Sequence, residues 1–263
     1  MRYILHAAGM NLRRAAQYRS SFLMQTAAQL VMTAGDLWAV LILLERFRVM
    51  GHWSLYQVLF FFGAMQIVFA VTEMINRGFG HFSAMIRQGT LDTILTRPRS
   101  PMLQVVLSEL DPRRIGTVLV GLGALIAATR GLGLVWTPRD VLLLLWGAAG
   151  AVCLMMGLFM LEAVICFFSV QSTELVNTLT YGGRQTCQYP VDIYPEWIRI
   201  LFTCVVPVAL CLQFPVCRIL GQPLAGTVPG AWVWLTPLAG PAFFGLMSLL
   251  WRLGLRHYRS TGS

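Results

Sequence analysis

Between positions 141 and 168 the chain carries one charged side chain, Glu162, among leucine, valine, phenylalanine, alanine and glycine. An α-helix needs roughly 20 predominantly apolar residues to cross a bilayer, and this run exceeds that length. Further apolar stretches at 21–44, 55–74, 115–129 and 232–253 approach or reach it. The whole chain of 263 residues is 57% hydrophobic and 12% charged, whereas soluble domains average about 25% charged. These runs predict an all-α, polytopic helical membrane protein. What remains is too short for a large soluble domain.

One stretch breaks the apolar pattern while keeping order within it. Residues 73–109 form a polar, arginine-bearing island between two greasy segments. Phe82, Met85 and Ile86 recur at helical spacing, which predicts a short amphipathic helix over 79–88 that Gly89 stops. Leu91, Ile94 and Leu95 begin a second apolar face, which Pro98 and Pro101 are expected to end. A short helix with one greasy and one cationic face lies on a membrane surface or in a groove of another protein. An ordinary loop with a solvated charged face is the plainer reading of the same residues.

All 20 basic residues are arginines. Without a lysine there is no P-loop phosphate ligand and no Schiff-base nucleophile, so hydrolysis of ATP by the usual P-loop route is excluded for this chain. The formal charge of +9 is spread beside the apolar runs, a pattern set by membrane topology rather than by nucleic acid. Six cysteines lack any Cys-x-x-Cys pair and four histidines are scattered, so no metal site is expected.

Taken in order, residues 1–20 interleave four arginines with apolar residues and lack the apolar core and cleavage site of a signal peptide, which predicts an interfacial amphipathic helix. The span at 21–44 holds Gln25, Gln29 and Asp36. The span at 55–74 holds Phe60, Phe61 and Phe62. Glycines at 116, 121 and 123 suit the span at 115–129 to close packing, as does the cluster Gly147 to Ala151 in the span at 141–168. Beyond residue 170 the pattern weakens. Residues 175–188 are too polar to be a span on hydropathy, which instead makes 198–220 the fifth crossing. Placing the N-terminus, residues 76–114 and the C-terminus inside puts 13 of the 20 arginines in the cytoplasm, as the positive-inside tendency requires. Both termini are then cytoplasmic and the crossings even in number.

Trp53 to Val58, Phe82-Ser-Ala-Met-Ile-Arg87-Gln-Gly89-Thr-Leu-Asp92 with Leu95-Thr-Arg97-Pro98, and Tyr189-Pro190-Val-Asp192-Ile-Tyr194-Pro195-Glu-Trp197 with Pro207 give the chain its family likeness. In these blocks and in the order of its elements it resembles the ABC type-2 permeases, in particular bacterial permeases encoded in pairs beside a separate ATPase. The resemblance implies six transmembrane helices, with the fifth at 170–188 and an external re-entrant region at 189–220 marked by Tyr189, Pro190, Tyr194, Pro195 and Trp197. It implies that region 76–114 holds a cytoplasmic coupling helix contacting an ATPase through Phe79, Phe82, Met85, Ile86, Arg87, Gly89, Asp92 and Arg97. Phe82 and Ile86 are then expected as buried anchors, with Arg87, Arg97 and Arg99 as ion-pair donors. The implied partners are two copies of a soluble ATP-binding subunit, which carry the ATP and Mg, and a second permease, either a paralogue or the same chain. The implied setting is the bacterial inner membrane, and the implied cargo a small molecule, lipid or peptide moved outward. This chain needs no cofactor of its own.

Ionisable residues within spans are expensive, about 3 kcal/mol on insertion scales, and point to function or to mutual pairing. Asp36, Glu73, Glu162, Asn177 and Arg184 are therefore candidates for the translocation path or for intramembrane polar contacts. A structural pair with an arginine, or a snorkelling end residue, is the plainer explanation, above all for Glu73. A self-sufficient secondary transporter is the competing class. It would favour inverted repeats, which the halves do not display. An intramembrane enzyme would need acidic or histidine clusters at one membrane face, and the sequence has none.

Overall fold

The computed structural model describes residues 19–47, 53–168, 173–223 and 229–258, and every regular element among them is helical. The amphipathic helix expected at the N-terminus lies, up to residue 18, outside the described residues. Helix α1 (Arg19–Phe47) is 29 residues long and covers the first expected span. Helix α2 (Leu55–Gly80) opens on a capping box. Ser54 accepts from the Gln57 amide, and the Gln57 side chain accepts from the Ser54 amide at 2.9 Å, satisfying two otherwise orphaned donors. Three short helices form an elbow: α3 (Phe82–Arg87), α4 (Thr90–Leu95) and α5 (Pro101–Ser108). Then come α6 (Ile115–Gly131) and α7 (Pro138–Cys166), the latter started by Thr137, Pro138 and Asp140 in a second capping box. Helix α8 (Thr173–Cys187) leads to a bent segment, and α11 (Ala239–His257) ends the described chain. Between them, α9 (Glu196–Ile200) runs into a π-helical turn, and a second such turn runs into α10 (Phe214–Ile219).

Among the described residues, four helical segments are long and apolar enough to cross a bilayer: Leu55–Arg87, Pro112–Gly131, Pro138–Cys166 and Trp232–His257. The pair Glu196–Val205 and Ala209–Ile219 adds a fifth if counted as one span, but it bends by 83°. Pro207 sits at the break, where it removes a backbone donor and blocks helix continuation. The straight crossing that hydropathy favours over 198–220 is therefore not formed. Helix α8 has 15 described residues, short of the roughly 20 of a full crossing.

Helix α2 is the axis of the bundle. Of its most apolar window 78% is buried, against 44% for α7, 28% for α6 and 22% for α11. Phe60, Phe61 and Phe62 are all fully buried. The outward faces of α6, α7 and α11 expose Leu119, Leu142, Leu145, Leu246 and Leu249, as helices bordered by lipid or by another membrane chain do. The second span does not stop at 74. Helix α2 continues through Asn76 and Arg77 to Gly80 because Glu73, Asn76 and Phe79 are buried against the chain's own helices, a packing that hydropathy cannot register. Pro101 likewise starts a helix rather than ending one, since its missing N–H costs nothing in a first turn.

Small residues set the helix spacing, as the glycine clusters predict. Gly121 packs on the backbone of Gly63, and Gly150 on that of Gly240. A Cβ on Gly240 would overlap the Gly150 carbonyl. Gly240→Val should therefore separate α7 from α11 and cost about 1–3 kcal/mol, read as a lower thermal unfolding midpoint in detergent. Gly123, where an added Cβ meets nothing within 4 Å, should accept alanine with a change below about 0.5 kcal/mol.

Candidate functional site: an elbow on an ionic ladder

Directly after α2 the chain turns at His81, forms α3, and reverses at Gly89, whose φ of 67° is left-handed. That conformation favours glycine, so this reversal is written into the sequence. The elbow's apolar residues point inward. Phe79, Phe82, Ile86 and Leu91 are buried. Phe82 packs edge-on against Phe167 at 5.2 Å and tilted against Trp251 at 5.0 Å, and Phe79 meets Trp251 at 5.4 Å. The expectation that Phe82 and Ile86 anchor a partner is thus corrected: aromatic groups of α11 and of the end of α7 already cover the greasy face. Phe79 is likewise the last turn of α2 and part of the core.

What the elbow presents outward is different. Arg87, Arg97 and Arg99 are exposed, and Met85, Gly89 and Asp92 are half-buried. Met85, Ile94 and Arg97 line one wall of a cleft of about 960 Å³, with Phe22 and Gln25 of α1 on another and Glu109, Leu110, Pro112 and Arg113 at its floor. Asp92 faces Tyr258 beyond α11, and burial together with that carboxylate raises the phenol's pKa.

The elbow is tied down by polar contacts. Gln104 donates to the carbonyls of Ile94 and Arg99, both at 3.2 Å. The Asp111 amide donates to the Met74 carbonyl at 3.1 Å. His81 meets Glu109 at 2.6 Å. Arg113 pairs with Asp111 at 2.7 Å and donates to Gln25 of α1.

From the floor of the cleft a ladder of ionic contacts runs along α2. Arg114 binds Glu73 at 2.9 Å. Tyr181 of α8 donates to the same carboxylate at 3.3 Å. One turn further along α8, Arg184 donates to Gln66 of α2 at 2.8 Å, lies 4.8 Å over the ring of Phe69, and reaches Asp36 of α1 at 3.5 Å. Glu73 is 3% exposed and Arg114 17%, so removing either partner leaves an expensive buried charge.

Of the intramembrane candidates, Asp36, Glu73 and Arg184 come together in this ladder. Glu162 does not: one of its carboxylate oxygens is buried without a partner among the described residues. The side chain of Asn177 lies outside the described residues. Sequence reasoning passed over Gln66, Phe69, Arg114 and Tyr181. A signal existed, for Gln66 and Phe69 stand seven and four residues before Glu73 and so share its helix face.

At the opposite end of α2 the motif 189–197 folds back. Trp53 donates to Asp192 at 2.9 Å. Gln213 donates to the Tyr189 carbonyl at 2.7 Å and accepts from the Val191 amide at 3.0 Å. Pro190 is buried, Tyr189 and Tyr194 are half-buried, and Pro195 and Trp197 are exposed.

A helical, multi-pass membrane protein with a polar elbow roped to its central span is the class these features define. A family model described as ABC-2 family transporter protein matches residues 30–262, and the chain belongs to that family. It is a membrane permease subunit of an ABC transporter, of a kind that works with a separate ATP-binding subunit. No curated protein and no solved structure matches the chain.

Glu73→Gln should leave Arg114 only the more distant Asp111 carboxylate, 3.8 Å away, and lower stability by about 3 kcal/mol, whereas Glu73→Leu combined with Arg114→Met should lose far less. Thermal unfolding of the single and double variants in detergent separates the two results.

Proposed function

We propose that this chain exports a small molecule, lipid or peptide across a bacterial inner membrane. It does so as one of two permeases, paralogous or identical, served by two copies of a soluble ATP-binding subunit. Both termini and the elbow face the cytoplasm. The observation that carries this reading is the elbow's construction, rigidly tied to α2 yet turning Arg87, Arg97, Arg99 and the Met85 side of a cleft outward. An ATP-binding subunit docked there exchanges charge with the arginines and covers Met85. The residues of this chain do not fit a nucleotide site of the P-loop kind, because it has no lysine. Nucleotide and Mg belong to the partner.

Energy then enters as a difference in affinity. The docked subunit favours one arrangement of the permease pair when it holds nucleotide and another when it does not. A push on the elbow reaches α8 through Arg114, Glu73 and Tyr181. The bend at Pro207, with 189–220 as an external re-entrant region, closes the outer end of the path.

Because Phe82 is a core residue, Phe82→Asp would unfold the elbow and report nothing about docking. Arg87→Glu and Arg97→Glu, both at exposed positions, change only its outward side. Each should lower the amount of ATP-binding subunit that copurifies by about tenfold, the loss of one or two charge-assisted contacts, with the unfolding midpoint unchanged. Undiminished copurification in both variants contradicts docking at this face.

A further inference from the structure

The far end of the ladder holds more hydrogen-bond donors than acceptors. Arg184 uses one terminal nitrogen on Gln66 at 2.8 Å, and the same nitrogen lies 3.5 Å from Asp36. Its Nε is buried without a partner among the described residues. A guanidinium only donates, so the Gln66 atom facing it is the oxygen, which turns the Gln66 Nε2 amide away as a donor. That amide too is unpartnered, and Gln66 is 0% exposed. Thr180 stands one turn before Arg184 on the same face of α8, also 0% exposed and with a hydroxyl that has no partner among the described residues. Buried donors of this kind are costly to leave unmade.

The carboxylate that reaches Arg184 is weakly held. Asp36 is 42% exposed, and its 3.5 Å separation from Arg184 exceeds the 2.7–2.9 Å of a strong charge-assisted bond. Glu73 acts on Arg184 through space, but its direct ionic contact is with Arg114 at 2.9 Å. We propose that Arg184, Gln66 and Thr180 form a substrate-recognition site for an oxyanion, a carboxylate or phosphate on the transported molecule, which displaces Asp36 from the guanidinium. Asp36 acts as the resident counter-ion that the cargo replaces. This rests on the reading of the chain as a transport permease and adds a substrate class to it.

The test uses the full chain purified with its ATP-binding subunit in maltoside micelles, which carry no phosphate, with unfolding followed by tryptophan fluorescence. Dodecyl phosphate and dodecanoate probe a lipid-borne oxyanion, and inorganic phosphate and succinate a soluble one. Dodecyltrimethylammonium is the cationic control. An oxyanion should raise the unfolding midpoint saturably and the cation should not. A response to the dodecyl probes alone assigns a lipid-borne group, and a response to the small anions a soluble one. Arg184→Gln should abolish the effect. Asp36→Asn should lower the half-saturating concentration about tenfold, by removing a charged competitor. Thr180→Val should raise that concentration without lowering the unliganded midpoint, which keeps the proposal testable if Arg184→Gln fails to fold. A wild-type response in Thr180→Val and Arg184→Gln, weaker binding in Asp36→Asn, or equal stabilisation by the cation overturns the site. If the ATP-binding subunit is retained but no oxyanion acts, this site alone fails. If the wild-type chain retains no such subunit, the transport reading fails with it.

Discussion

A buried ion pair, Glu73 with Arg114, ties the two ends of the elbow together. Glu73 ends the apolar part of α2, and Arg114 closes the elbow just before α6. Neither charge is tolerable alone at that depth, so the elbow must return to α2 after its excursion through α3, α4 and α5. The Asp111 amide on the Met74 carbonyl and Arg113 on Gln25 hold the same corner. The elbow is thus a rigid extension of the central helix. Tyr181, donating to Glu73 from α8, makes the corner a junction of three elements.

A rigid corner matters for what an ABC permease must do. Packed interiors are bistable rather than continuously deformable, so a small displacement at one surface becomes a change of packing elsewhere. On the proposed reading α2, the most buried of the candidate spans, is the element through which such a displacement passes. Its neighbours approach closely at glycines, Gly63 on Gly121 and, further out, Gly150 on Gly240. Such contacts fix helix spacing by backbone rather than by side chain. The ionic ladder supplies the remaining connection, from Arg114 to Arg184 along one face of α2.

The sequence makes some of this legible and hides the rest for physical reasons. Runs of apolar residues mark α2, α6, α7 and α11, because burial in lipid and burial in protein both demand them. Gly89 marks the elbow's reversal, because a left-handed φ favours glycine. Phe82 shows the limit: its spacing predicts a greasy face but cannot say whether that face meets another protein or the same chain, and Phe167 and Trp251 lie far away in sequence. Asp36, Glu73 and Arg184 stand out as charges among apolar residues, so they were found. Gln66 and Tyr181 are neutral and unremarkable until the fold brings them beside those charges. Hydropathy reads 198–220 as a crossing because it averages over Pro207, and the averaging conceals an 83° bend.

The central claim is that motion at the elbow reaches α8 through Arg114, Glu73 and Tyr181. Hydrogen exchange of the α8 amides, measured in the complex with and without nucleotide on the ATP-binding subunit, tests it most directly. The account predicts that nucleotide changes α8 exchange in the wild-type complex but not when Glu73→Leu and Arg114→Met replace the pair, with the subunit still bound. The same nucleotide-dependent change in both complexes would contradict it.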